Sequence, residues 1–259
     1  MQLCVPVTDI FRRNQDKLLP LVGAVSFKDP TDEVFQGKEH MLECSLNIAS
    51  PTFKEELEDA GLADALRSGR FISFACDIGP PWRDCNSNGR SPNGFPRYLP
   101  GSDPISEADY LVAAQRNVKL LRTLFPGRIK VENLNYFPTG AYEAVCEPQF
   151  IARIVRDLGI ELLFDLGHTT VSIQNLGIDS DKFLAQLPLE RVTEVQLSGS
   201  RWINGIFEDA HELPSDKDME LLTGTITKAS VEYVTLENYK EDVNLVTGYQ
   251  KLYQNLIGP

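Results

Sequence analysis

Eight short, β-rich apolar runs recur along the chain, and they constrain the fold more than any other feature. They are LCVPV (3–7), VGAVSF (22–27), MLECSL (41–46), FISFAC (71–76), RIKVEN (128–133), ELLFDL (161–166), VTEVQL (192–197) and VEYVTLEN (231–238). A nearly continuous apolar run such as ELLFDL marks a strand buried on both faces, as in a parallel sheet covered by helices. Helical spacing fills several of the intervals. In PQFIARIVRDLG, Phe150, Ile151, Ile154, Val155 and Leu158 share one face, Pro148 suits the first turn and Gly159 the C-terminal cap. The segment 106–127 opens on Ser106 as a cap and closes on Pro126 and Gly127. No GxGxxG turn follows the first strand, so a closed (β/α)8 TIM barrel is expected rather than an open doubly wound sheet.

At 259 residues and 42% hydrophobic content the chain fills one sizeable core, and a single barrel domain over 1–259 is expected. The segment 79–104, rich in Gly, Pro, Asn and Ser, is expected as a long irregular loop over the catalytic face. No apolar run approaches the roughly 18 residues of a membrane span, and MQLCVPVTDIFRRNQ lacks the pattern of a cleaved leader. A soluble, cytoplasmic protein without membrane contact is the expectation. The formal charge of −12 argues against a nucleic-acid partner, which needs a basic surface. The five cysteines are an odd number in no CxxC arrangement, which suits reduced core residues.

In a barrel, chemistry sits where strands end at their C-terminal side. Four late runs end in a polar group that a purely structural strand does not need: Glu132, Asp165, Gln196 and Glu237. Three carboxylates brought to one mouth lose hydration and repel each other, so either a cation sits between them or some are protonated. His168 in LFDLGH and His211 in FEDAH, two of only three histidines, offer imidazoles beside them, and Asp209 pairs with His211 as D-x-H on an extended segment. A divalent metal is the expected cation. Its candidate ligands are Glu132, Asp165, His168, Asp209, His211 and Glu237, with Gln196 and Asp77 as further possibilities. His40 reads as a loop residue with a smaller claim on the site. Trp82, Tyr98, Tyr136 and Tyr142 are candidates to line the mouth.

With those residues assembled, the second half of the chain resembles the multinuclear non-heme iron-dependent oxidative enzymes, a family formerly catalogued as a domain of unknown function. That family lies within the xylose isomerase-like TIM-barrel superfamily. The resemblance runs from Glu132-Asn133-Leu134 through the helix at 148–158, LLFDLGHTTVSIQNLGID, LPLERVTEVQLSG and Asp209-Ala210-His211 to Leu236-Glu237-Asn238; MLECSLN is similar to an early Glu-containing strand. It implies two iron ions, within a range of one to three, held by Glu132, Asp165, His168, Asp209, His211 and Glu237. Glu132, Glu237 and His168 are the implied catalytic groups. It also implies dioxygen as oxidant, a peptide cysteine or small thiol as substrate, and a partner protein that presents the peptide. Two departures stand out: Gln196 replaces a family histidine, and FISFACD offers Ala75, with Asp77 nearby, where the family has another.

On this reading Arg83, Arg90 or Arg201 holds a substrate carboxylate and Trp82 lies beside it. The first alternative is a sugar isomerase or epimerase using manganese or zinc, in which Glu132 and Glu237 shuttle a proton across one carbon. The second is a degenerate, non-catalytic barrel that binds a peptide. A zinc endonuclease of the same superfamily is disfavoured by the acidic charge.

Overall fold

The computed structural model describes residues 1–91 and 96–258. Among them the strands are, in chain order, β1 (Gln2–Pro6), β2 (Ala24–Phe27), β3 (Glu39–Asn47), β4 (Ser73–Asp77), β5 (Asn86–Arg90), β6 (Pro96–Leu99), β7 (Arg128–Glu132), β8 (Glu161–Asp165), β9 (Val192–Leu197), β10 (Gly199–Ile203), β11 (Ile206–Glu212) and β12 (Tyr233–Leu236). The helices are α1 (Asp9–Arg13), α2 (Gln15–Leu18), α3 (Phe53–Asp59), α4 (Leu62–Arg67), α5 (Glu107–Leu124), α6 (Pro148–Leu158), α7 (Leu166–Leu176), α8 (Ser180–Leu184), α9 (Asp216–Ile226) and α10 (Asp242–Leu256).

Strands β1, β2, β3, β4, β7, β8, β9 and β12 close into a parallel barrel in that order, β12 pairing back onto β1. Each expected run supplies one barrel strand. The mean plane of the sheet separates two interiors. Outside it, the strands pack under the helices, as in α6, where Phe150, Ile151, Ile154, Val155 and Leu158 are buried. Burial of each large apolar side chain contributes about 1.5–3 kcal/mol. Gly159 ends that helix at φ 62, a left-handed position that a side chain would strain. Ser106 caps α5 by accepting the Asp109 N–H at 3.2 Å.

Inside the barrel, the lower layer is polar at its centre. Lys130 is fully buried and donates to Glu194 Oε2 at 2.6 Å, beneath Tyr233, whose ring centroid lies 5.7 Å from the ammonium. Cys4, Ala24, Met41 and Tyr233 form a small buried cluster of their own, separate from the main core.

The segment 79–104 is more ordered than the irregular loop expected. β5 and β6 pair antiparallel, and Trp82 bridges Pro104. The pairing satisfies backbone groups that a long structureless loop leaves to solvent. Residues 92–95 of that segment lie outside the described residues. β10 and β11 form a second antiparallel hairpin, after β9. Among the described residues no helix is long and apolar enough to cross a membrane. All five cysteines are free thiols.

Candidate metal centre

Lys28, Glu43, Asp77, Glu132, His168, His211 and Glu237 line a cavity of ≈ 330 Å³ at the C-terminal mouth, and Asp165, Gln196 and Asp209 are buried without lining it. They fall into two groups with different partners.

The first is built where β7 and β8 end. Asn133 joins the two strand ends: its Nδ2 donates to Asp165 O and its Oδ1 accepts the Asp165 N–H, both at 3.0 Å. Asp165 closes β8 and at once caps α7, its Oδ1 accepting the His168 N–H at 2.6 Å. That cap turns the first helical residues back over the mouth and places His168 beside Glu132. Ligand atoms of Glu132, Asp165 and His168 all lie within 4.8 Å of one another.

His168 Nδ1 lies 2.8 Å from Asn133 O and 3.1 Å from Glu132 Oε1, both acceptors. Nδ1 therefore carries a proton, and in the neutral ring Nε2 is the lone-pair nitrogen. Asp165 Oδ2 is buried and has no hydrogen-bond partner among the described residues. Burial pushes the Asp165 carboxyl up to about 8, against the pull of His168. Burial acts to lower His168, but Asp165 and Glu132 outweigh it and hold the ring well above its ordinary value. Carboxylate and imidazole here hold protons that a cation would displace. A buried carboxylate oxygen without a donor, beside a second carboxylate and an imidazole, fits a hard or borderline divalent ion.

The second group centres on Lys28, the first residue after β2. Its Nζ donates to Glu43 Oε1 and lies 3.0 Å from Glu237 Oε1. Gln196 Nε2 donates to Glu43 Oε2 at 2.8 Å, so this glutamine binds a carboxylate; its own Oε1 is buried without a partner. Glu237 accepts from Tyr239 OH, and its Oε2 lies 3.2 Å from His211 Nε2. Burial alone raises Glu237, but Lys28, His211 and Tyr239 reverse the direction and hold it below the usual carboxylate range. Glu43 is pushed well above that range by burial, which Lys28 opposes and Glu132 and Glu237 reinforce.

Asp209 and His211 come from β11. Asp209 Oδ1 accepts from Ser198 Oγ at 2.6 Å and from the His211 N–H at 3.0 Å, and its Oδ2 is 3.5 Å from His211 Nε2. The two side chains do meet, although His211 has φ 45 and is not extended as expected. Such a backbone is costly for histidine and persists only where surrounding contacts fix it. Gly167 allows the approach, since a Cβ there stands 2.0 Å from Ser198 Oγ and 3.0 Å from Asp209 Oδ2.

Asp77 ends β4 on the cavity wall, raised well above its ordinary value by burial and by Glu132. Tyr98, Leu134, Phe137 and Tyr142 form the apolar side of the cavity. Other expected residues lie elsewhere. His40 is buried within β3, where Nε2 accepts the Phe35 N–H at 3.2 Å and Phe27 packs on the ring. Trp82 packs against the core; Arg83 pairs with Asp103 at 3.4 Å, and Arg201 pairs with Glu212. Sequence reasoning overlooked Lys28 and Tyr239. The same strand-end logic applied to AVSFK points to Lys28.

Solved structures place the fold among the xylose isomerase-like TIM barrels. An L-ribulose 3-epimerase superposes with a TM-score of 0.58 at 12% identity, over 97% of this chain and 92% of that one. Endonuclease IV from Thermus thermophilus gives 0.60 at 14% identity, over 98% of this chain and 97% of that one. Residues 104–250, more than half of the chain, match the family described as RiPP precursor modification enzyme MbnB/TglH/ChrH, and the chain belongs to that family. A UPF0276 protein of Caulobacter vibrioides is 31% identical over 98 residues, 38% of this chain and 35% of that one. Another, of Streptomyces avermitilis, is 26% identical over 147 residues, 52% of this chain and 30% of that one. The chain thus spans about a third of the length of these relatives.

Proposed function

We propose that this chain is one barrel domain of a metal-dependent enzyme that modifies a ribosomally made precursor peptide. The observation that carries the metal is the unpartnered, buried Asp165 Oδ2 facing the space shared with Glu132 and His168. Family membership supports the peptide. On the finer reading the ion is iron and the reaction an oxidation of a peptide cysteine by dioxygen, with a partner protein presenting the peptide.

A bound ion supplies Lewis acidity and, if iron, a redox couple open to dioxygen. The protein does the rest. Asn133 and the α7 cap fix the orientation of Asp165 and His168, so the donors are set before substrate arrives. Tyr98, Leu134, Phe137 and Tyr142 receive the side chain to be modified and exclude water from it. Glu132, on the cavity wall beside His168 Nδ1, accepts the substrate proton, and His168 stabilises the negative charge that Glu132 carries before the transfer. Glu237 stays an anion and orients His211 and Tyr239. Arg83 and Arg201 follow strands β4 and β9 and are assigned, with Trp82, to outer contacts with a peptide longer than the cavity.

The epimerase reading draws support from the fold. It asks Glu132 and Glu237 to exchange one proton across a substrate carbon, yet Glu237 is held by Lys28, Tyr239 and His211 together, an arrangement that makes it a poor base.

The test is reconstitution without oxygen, followed by incubation with cysteine-bearing precursor peptides encoded beside the gene, with and without dioxygen. A peptide mass change that needs metal and is lost in His168→Ala supports the proposal. Epimerisation of a free ketose with unmodified peptide, or peptide modification by the metal-stripped protein, refutes it.

A further inference from the structure

We propose that Lys28 is a resident cation: its ammonium takes the place of a second metal ion at the barrel mouth, so the chain binds one divalent ion and not two. The inference rests on the metal site proposed above and deepens it.

Two buried carboxylates from distant strands, Glu43 on β3 and Glu237 after β12, converge on Lys28 Nζ. That convergence is what a bridging metal ion requires. A transition metal takes carboxylate oxygens at about 2.0–2.2 Å. The ammonium, 3.0 Å from Glu237 Oε1 and closer to Glu43 Oε1, fills the space between them. The outer oxygens are engaged as well. Gln196 Nε2 donates to Glu43 Oε2 at 2.8 Å, and His211 Nε2 lies 3.2 Å from Glu237 Oε2. Gln196 is suited to this arrangement: an amide donates to Glu43 while staying neutral, and does not add a second positive charge beside the lysine.

The Asp165 side of the mouth is built differently. No lysine or arginine among the described residues pairs with Asp165 Oδ2, which is buried without a donor. Among the described residues, Glu132, Asp165 and His168 are the group of three metal-type ligands that converges. One side of the mouth thus carries its cation covalently, on a side chain, and the other is left to recruit one. Lys28 follows β2, which ends at Phe27, and its side chain lines the cavity at the mouth.

The test is manganese loading of the full chain under anaerobic conditions, with ions per chain counted by elemental analysis and their coupling read by electron paramagnetic resonance. The wild type is expected to hold one Mn²⁺ with an uncoupled spectrum. Lys28→Ala is expected to take up a second, exchange-coupled ion, while Lys28→Arg stays at one. Two coupled ions in the wild type, or a single ion in a folded Lys28→Ala, overturn the inference and leave the metal site standing. No ion in the wild type overturns the metal site itself. Should Lys28→Ala fail to fold, Glu43→Gln decides: one ion is expected, and loss of that ion shows that Glu43 is a ligand and refutes the assignment.

Discussion

Replacing Asp165 with asparagine should stabilise the metal-free protein and abolish its response to metal. The carboxyl is fully buried, capping α7 with one oxygen and meeting no donor with the other. Its affinity for protons rises from an ordinary 3.8 to about 8 on folding. A group raised on folding favours the native state below its unfolded value, and the benefit is lost as pH climbs through the folded value. Each pH unit in that window is worth about 1.4 kcal/mol, so the carboxyl of the metal-free protein costs on the order of 4 kcal/mol at pH 7 and on the order of 2 kcal/mol at pH 5. Asparagine keeps the capping oxygen and removes the titration. In chelator, Asp165→Asn should therefore exceed the wild type in stability by about 2–4 kcal/mol at pH 7, with the gap narrowing towards pH 5. Denaturant unfolding at the two pH values measures it, and added Mn²⁺ should raise the midpoint of the wild type alone. A variant that is no more stable than the wild type at pH 7, or that still gains from metal, refutes the reasoning.

Metal uptake should release up to about two protons per ion at pH 7, because Asp165 and His168 each hold a proton that the ion displaces; calorimetry in buffers of different ionisation enthalpy reads this directly. Gly167→Ala should lower stability by at least about 2 kcal/mol, since Ser198 and Asp209 both stand in the space of the new methyl; an unchanged thermal midpoint counts against the packing described. Lys130→Met should lose about 3–5 kcal/mol by leaving Glu194 buried without its cation, and Lys130→Met with Glu194→Gln should recover most of it. Equal losses in the single and double variants refute that account.

The barrel was legible because parallel strands buried on both faces produce contiguous apolar runs, and α6 carried its own punctuation in Pro148 and Gly159. The carboxylates were legible for a related reason: a charge that interrupts such a run at its end has one place to point. Lys28 obeys the same rule, yet AVSFK reads as a strand leaving for solvent, and its partners lie 15 and 209 residues away. Local pattern carries no record of such a pairing. Clustered carboxylates call for a compensating cation, and the chain supplies part of that charge as Lys28, just after β2, which no local pattern announces. Lys130 and Glu194 were hidden in another way, since each is a single polar residue pointing inward from an apolar strand.

That inward pair has a bearing on traffic. Lys130, Glu194 and Tyr233 meet inside the barrel, whose interior is filled by side chains as in other TIM barrels and is not a pore. Whatever arrives at Glu132 and Asp165 leaves by the way it came. On the proposed function, ion, co-substrate and peptide share that opening, and a peptide seated against Tyr98 and Phe137 would stopper it until it departs. On that reading the small reactants arrive first and the chain-like one last.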